Sequence, residues 1–322
     1  MKKLAIFLSL VFIHASGICQ TYTKDNGVIH VELNGYGYPM ITNFKILGAT
    51  AVPHDNAGAD FQMTARSAQG NAYNPTQGGD CRGNPSLLNG TLENWNGASI
   101  GVPAQNGILL GVQPRNYNDP SSGDQGCAGN GALLPYQFNF GVTIGDGRSL
   151  PKEAMVVDMS IQKLTGGQDI IQYASELPAI FASASFMRYA YYADTNGGIL
   201  PYSVSVNGAY TNDITQWPSL VNYSGVGKAV ILCSIPNATN NSGQGVCMAI
   251  YSNFDTTFYL SHRFGSTNEL SYFTMVGKSD PSATIADSSW HSLRRFILVG
   301  NISTIQGLVG EISPFATSNS NW

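Results

Sequence analysis

Hydrophobic and polar positions alternate with period two along most of the chain. In "VIHVELNG" the residues Ile29, Val31 and Leu33 fall on one side while His30 and Glu32 fall on the other, the pattern of a half-buried strand. The same alternation marks "YQFNFGVTIG", "AMVVDMSIQKL", "PYSVSVNG", "AVILCSIP", "VCMAIYSN" and "RRFILVG", each bounded by Gly, Pro, Asn or Asp. Many short strands punctuated by turns predict an all-β fold: a large antiparallel β-sandwich with long disulfide-stapled loops and little helix. "PAIFASASFMRYAYY" mixes Ala with aromatic residues and reads as one or two further strands. The helical candidate is "ISTIQGLVGEI", Ile302 to Ile312, expected to make one or two turns, with Ser303 as N-cap and Gly307 and Gly310 weakening its interior.

No stretch of linker composition divides residues 20–322, which read as one large β domain or as two packed sandwiches. Within it residues 50–132 are rich in loops, most densely at "NAYNPTQGGDCRGNPS", where Gly and Pro fix a defined irregular path. Four cysteines follow the first twenty residues, and an even count in an exported chain reads as two disulfides. Cys233 and Cys247 flank the turn-rich "SIPNATNNSGQGV" and are expected to staple a hairpin, leaving Cys81 and Cys127 to close the long loops. The close CxxC pairs that zinc prefers do not occur.

The opening "MKKLAIFLSLVFIHASGICQ" has a basic start, about ten apolar residues and small residues after them, so residues 1–19 are expected to be a signal peptide and the protein to be secreted, periplasmic or extracellular. Ile18 is too bulky for the residue before a lipidated cysteine, so cleavage after Cys19 is favoured over a lipid anchor there. No segment reaches the roughly 20 apolar residues of a membrane span, and "FATSNSN" before Trp322 lacks the alternation of an outer-membrane strand. Loss of Lys2 and Lys3 moves the net charge from −4 to −6, and no basic run remains, which argues against nucleic-acid partners. Charged residues make up 11% of the chain against roughly 25% in ordinary domains, so the surface is built from Asn, Ser, Thr, Gln, Gly and Tyr, an exterior suited to neutral, hydroxyl-rich ligands.

Candidate chemistry gathers in a few places. His54, Asp55, Asp60, Asp80, Arg82, Trp95 and Arg115 lie in the loop-rich stretch, where Trp95 suits stacking on a sugar ring and Asp80 serves either a turn or a site. Glu176 in "QYASELPAIF" sits in otherwise uncharged company, which suits a general acid; the alternative is a buried Glu bonded to backbone or to Arg188. "YLSHRFG" places His262 and Arg263 on opposite faces of a strand, and "SSWHSLRRFILVG" places His291 before Arg294 and Arg295. "DPSSGDQG" offers Asp119 and Asp124 to a calcium ion, a thin ligand set, so no cofactor is expected. The HExxH, P-loop and GxGxxG motifs do not occur.

"AYNPTQGGD" and "ELPAIF" resemble segments of large uncharacterised exported bacterial β proteins, a resemblance that covers about a tenth of the chain and carries no activity and no residue's role. Export, low charge and Tyr-rich strands lead to a polysaccharide-binding or polysaccharide-active protein whose partner is a carbohydrate polymer. Glycoside hydrolysis needs two carboxyls, with Glu176 and either Asp80 or Asp55 as the expected pair. A polysaccharide lyase instead uses a base such as His262 and a cation such as Arg263 or Arg188. A third reading is a structural or adhesive surface protein with no catalysis.

Overall fold

The computed structural model describes residues 21–34, 40–53, 61–68, 72–73, 92–93, 107–112, 134–172, 175–194, 196–217, 221–224, 229–236, 245–252, 257–264, 269–276 and 282–312. The strands, numbered in chain order, form two large antiparallel sheets. The first sheet runs β1 (Thr21–Asp25), β2 (Ile29–Asn34), β3 (Met40–Ile46), β5 (Phe61–Gln62), β13 (Glu176–Ser183), β22 (Glu269–Val276), β21 (Thr257–Phe264), β18 (Val221–Ser224), with β4 (Ala49–Val52) paired to β3. The second runs β15 (Ile199–Pro201), β14 (Tyr189–Ala193), β19 (Ala229–Cys233), β20 (Cys247–Tyr251), β24 (Trp290–Gly300), β11 (Ala154–Lys163), β10 (Tyr136–Ile144), β9 (Gly107–Val112), β8 (Leu92–Glu93). Smaller sheets join β23 (Thr284–Ile285), β12 (Ile170–Ile171), β6 (Ala65–Ser67) and β7 (Ala72–Tyr73), and β16 (Val204–Val206) with β17 (Ala209–Thr211). The all-β, antiparallel reading of the sequence holds.

The apolar halves of the alternating strands make the core. Val31, Phe44, Phe61, Ile180 and Phe273 from the first sheet pack against Phe138, Phe140, Val157, Leu232 and Ile297 from the second. The Phe61 and Phe140 rings meet edge to face at 6.3 Å and so tie one sheet to the other. "PAIFASASFMRYAYY" divides between the two sheets, its first half in β13 and its last residues in β14.

A second apolar layer covers part of the outer face of the second sheet. Ala154, Val156, Phe296 and Leu298 pack there under α1 (Ile302–Ile312), whose Ile302, Ile305, Leu308, Val309 and Ile312 face the sheet. The helix has 11 residues, about three turns, longer than its composition suggests. Gly307 and Gly310 lie on its exposed side, and burial of the opposite side outweighs their low propensity. Its cap is Asn301 rather than Ser303: the Asn301 Oδ1 accepts from the Thr304 N–H at 2.8 Å and from the Thr304 hydroxyl at 3.0 Å.

Cys233 and Cys247 stand directly opposite each other on β19 and β20 and are joined, so the expected hairpin staple is present. It ties two adjacent strands and does not hold a long loop. The expected Cys81–Cys127 bridge lies outside the described residues, as do residues 1–20 with the expected signal peptide and Cys19. Among the described residues no helix is long and apolar enough to cross a membrane.

Candidate functional site

The outer face of the first sheet carries a polar and aromatic cluster built by three strands. On β5, Phe61 points into the core and Gln62 to the outer face; Met63 then turns inward and Thr64 outward. On β22, Phe273 and Met275 enter the core while Tyr272 packs outside it with Ala179 and Phe181 of β13. Thr274 stands opposite Ala179 on the same outer face, and its hydroxyl donates to the Pro178 carbonyl at 2.5 Å.

Glu176 reaches this face because the strand is irregular. Simple alternation gives Glu176 the same parity as Ile180 and Ala182, both buried in the core. The pairing of β13 with β22 shifts register between Glu176 and Ala179, where three steps on one strand match two on the other. One extra residue reverses parity, so Leu177 goes inward and the Glu176 carboxylate goes outward.

The carboxylate is held from two sides. The Tyr272 hydroxyl donates to Glu176 Oε1, and the Thr64 hydroxyl donates to Oε2 at 3.3 Å. The backbone clamps the same pair, with the Thr64 N–H donating to the Glu176 carbonyl at 3.0 Å. Burial, reinforced by the adjacent Glu176 charge and its hydrogen bond, pushes the Tyr272 phenol well above its ordinary 10, so at neutral pH it remains a donor. The Tyr272 ring lies against Phe181 at 4.8 Å between centroids, and half-buried Tyr259 of β21 is a further neighbour of the phenol. The Gln62 amide and the Thr64 and Thr274 hydroxyls beside it are buried, while the Glu176 carboxylate and Tyr272 are half-buried, and a carboxylate so placed can accept hydrogen bonds from sugar hydroxyls.

Nearer the edge of the same sheet, His30 bridges two acids. Its Nδ1 lies 2.9 Å from Asp25 Oδ2 and its Nε2 lies 2.9 Å from Glu32 Oε1, which also accepts from the Asn43 amide at 3.1 Å. Burial lowers the affinity of the imidazole for its proton, but the bonds to Glu32 and Asp25 outweigh it and raise its pKa above 6.5.

The remaining expected residues are scattered. The Arg188 guanidinium makes a bidentate pair with the buried Asp213 carboxylate at 2.9 and 2.6 Å, and its Cζ lies 5.4 Å from the Tyr189 ring centroid. Asp213 also caps the short 3-10 turn Ile214–Gln216 through the Thr215 N–H, so this pair organises a chain reversal. His262 and Arg263 lie on β21, with backbones opposite Ser271 and Leu270, on the sheet that carries Glu176. His291 bonds Asp287 at 2.8 Å, while Arg294 and Arg295 fall on opposite sides of β24. Arg294 pairs with Asp158, and Arg295 is buried in the inter-sheet core, where it donates to the Ser252 hydroxyl. Asp55, Asp80, Arg82, Trp95, Cys81, Cys127, Asp119 and Asp124 lie outside the described residues. Among the described residues no three His, Cys, Asp or Glu side chains are grouped to hold a metal ion.

No family model and no curated protein sequence matches the chain. Its fold does have counterparts among solved structures. The GH36 alpha-galactosidase AgaB from Geobacillus stearothermophilus aligns with a TM-score of 0.52 at 7% identity, covering 87% of this chain and 40% of that one. The alpha-galactosidase from Lactobacillus brevis aligns with a TM-score of 0.50 at 8% identity, covering 88% of this chain and 40% of that one. The chain thus spans about two fifths of the length of these enzymes, and the likeness concerns the fold.

Glu176 is singled out by the sequence; Tyr272, Thr64, Gln62 and Thr274, which surround it, are not. The available signal was "ELSYFTMV", where Tyr272 and Thr274 alternate with the core residues Phe273 and Met275. That alternation places the two polar residues on one face; their meeting with Glu176 depends on strand pairing.

Proposed function

We propose that the chain is an exported protein that binds polysaccharide across the outer face of its first sheet, with the Glu176 carboxylate as the polar anchor of the site. The observation that carries this reading is the outward, half-buried carboxylate, fixed between the Tyr272 and Thr64 hydroxyls beside the half-buried Tyr272 ring. A fold shared with part of two alpha-galactosidases supports a carbohydrate ligand, and the low charge of the chain suits a neutral one. Glycoside hydrolysis on this face requires a second carboxyl roughly 5 to 9.5 Å from the first. Asp80 and Asp55 are the acids to test for that role. For the lyase reading, Arg188 is paired with Asp213, which leaves Arg263 as the cation to test first.

The test is affinity electrophoresis through gels containing galactomannan, xyloglucan or polygalacturonate, comparing the wild type with Glu176→Gln. The expected result is retardation of the wild type by a neutral polymer, and weaker retardation of a Glu176→Gln protein with an unchanged melting temperature. Equal retardation of both proteins, or none for the wild type, overturns the proposal. Release of reducing ends or of ultraviolet-absorbing products from the same polymers separates hydrolysis and elimination from binding.

A further inference from the structure

The outer face of the second sheet changes character along its strands. One end is apolar and lies under α1, where Ala154, Val156, Phe296 and Leu298 are buried. Beyond it the same face continues as three cross-strand rungs on β10, β11 and β24. Gly141, Asp158 and Arg294 form the first, Asn139, Ser160 and Ser292 the second, and Gln137, Gln162 and Trp290 the third.

Three properties of these rungs point to a ligand. The charges cancel: Arg294 grips Asp158 through two hydrogen bonds of 2.7 Å, and the other two rungs carry only amides, hydroxyls and an indole. Trp290, at the end of the patch, is 37% exposed, so part of an indole surface meets solvent there. The Gln137 and Asn139 amides and the Ser160 hydroxyl are half-buried and make no hydrogen bond to another described residue, so their donors and acceptors face outward. Strand faces that meet only water commonly carry Lys and Glu, which discourage association. Here such charges are replaced by groups that bond sugar hydroxyls, beside a ring on which a sugar face stacks. From the first rung to the third the patch extends about 13 Å along the strands.

We propose that this face is a second carbohydrate site, which holds an uncharged polysaccharide with one sugar ring on Trp290 and its neighbours hydrogen-bonded by Gln137, Asn139 and Ser160. The charge balance commits the site to a neutral polymer, because an acidic one finds the cation of these three rungs already neutralised by Asp158. The proposal is independent of Glu176, which lies on the other sheet.

Iodide quenching of Trp290 fluorescence, taken as the difference between the wild type and Trp290→Phe, tests this with galactomannan, xyloglucan and polygalacturonate as probes. A neutral polymer is expected to shield Trp290 in the wild type and equally in Glu176→Gln. Trp290→Ala, and separately Gln137→Ala with Asn139→Ala, are expected to raise the Kd for that polymer about tenfold, the effect of losing a central contact in a small interface, with little change in melting temperature. Four outcomes overturn the proposal: no shielding by any neutral polymer, equal shielding by polygalacturonate, shielding that disappears in Glu176→Gln, or shielding that grows with protein concentration without polymer. The last assigns the face to a second copy of the chain.

Discussion

Replacing Tyr272 by Phe removes one oxygen and leaves the ring against Phe181, so packing is kept while the bond to Glu176 is lost. A hydrogen bond to a charged acceptor contributes about 1.5 to 3 kcal/mol. Glu176 is half-buried and water partly replaces the lost donor, which places the expected loss near the lower end, about 1.5 to 2 kcal/mol. In a Glu176→Gln background the same substitution removes a bond between neutral groups, about half as strong, so Tyr272→Phe should then cost about 1 kcal/mol or less. The difference, roughly 1 kcal/mol of coupling, is read from a double-mutant cycle by urea denaturation at neutral pH. A cost below about 0.5 kcal/mol that is the same in both backgrounds would falsify the claim that the phenol holds the carboxylate. Polymer affinity should fall with Tyr272→Phe as well, since a carboxylate that has lost one of its donors is less preorganised.

Three further outcomes follow from the rest of the structure. Changing Cys233 and Cys247 together to Ala opens a loop with a sequence separation of 14, and the chain-entropy model gives a loss of about 3 kcal/mol in urea unfolding. The bridge between His30, Asp25 and Glu32 should give stability a pH window. The His30 contribution is complete below its unfolded value of 6.5 and disappears as pH rises through the raised folded value. Asp25, held down by the Gly27 N–H and then by His30, and Glu32, held down by His30, contribute above their unfolded values of 3.8 and 4.5 and cease to as pH falls through the lowered folded ones. The stability difference between wild type and His30→Asn should therefore be largest between pH 4.5 and 6.5, and a difference that is flat from pH 4 to pH 9 removes the cluster from the account. Finally, a Cβ at Gly145 would lie 1.8 Å from the Pro151 carbonyl oxygen, so Gly145→Ala should cost at least about 3 kcal/mol or yield no folded protein, as seen in thermal melts and soluble yield.

What the sequence determined by itself is the set of local features. Period-two alternation located β2, β10, β11, β19, β20 and β24, because burial of one face is written into consecutive residues. The turn-rich run between Cys233 and Cys247 sufficed for their pairing, since a hairpin brings its two ends together. Features that depend on pairing between distant segments were decided only by the tertiary structure. Glu176 faces outward because β13 slips by one residue against β22, and its partner Tyr272 lies 96 residues away. Arg188, which the sequence offers to Glu176 or to a uronate, pairs with Asp213, 25 residues on. The length of α1 likewise rests on the buried face of a sheet assembled from β19, β20 and β24, whose strands span more than 60 residues of chain. Alternation assigns each residue a side only while register is unbroken, and a single bulge, specified by the partner strand, reverses the assignment for every residue before it.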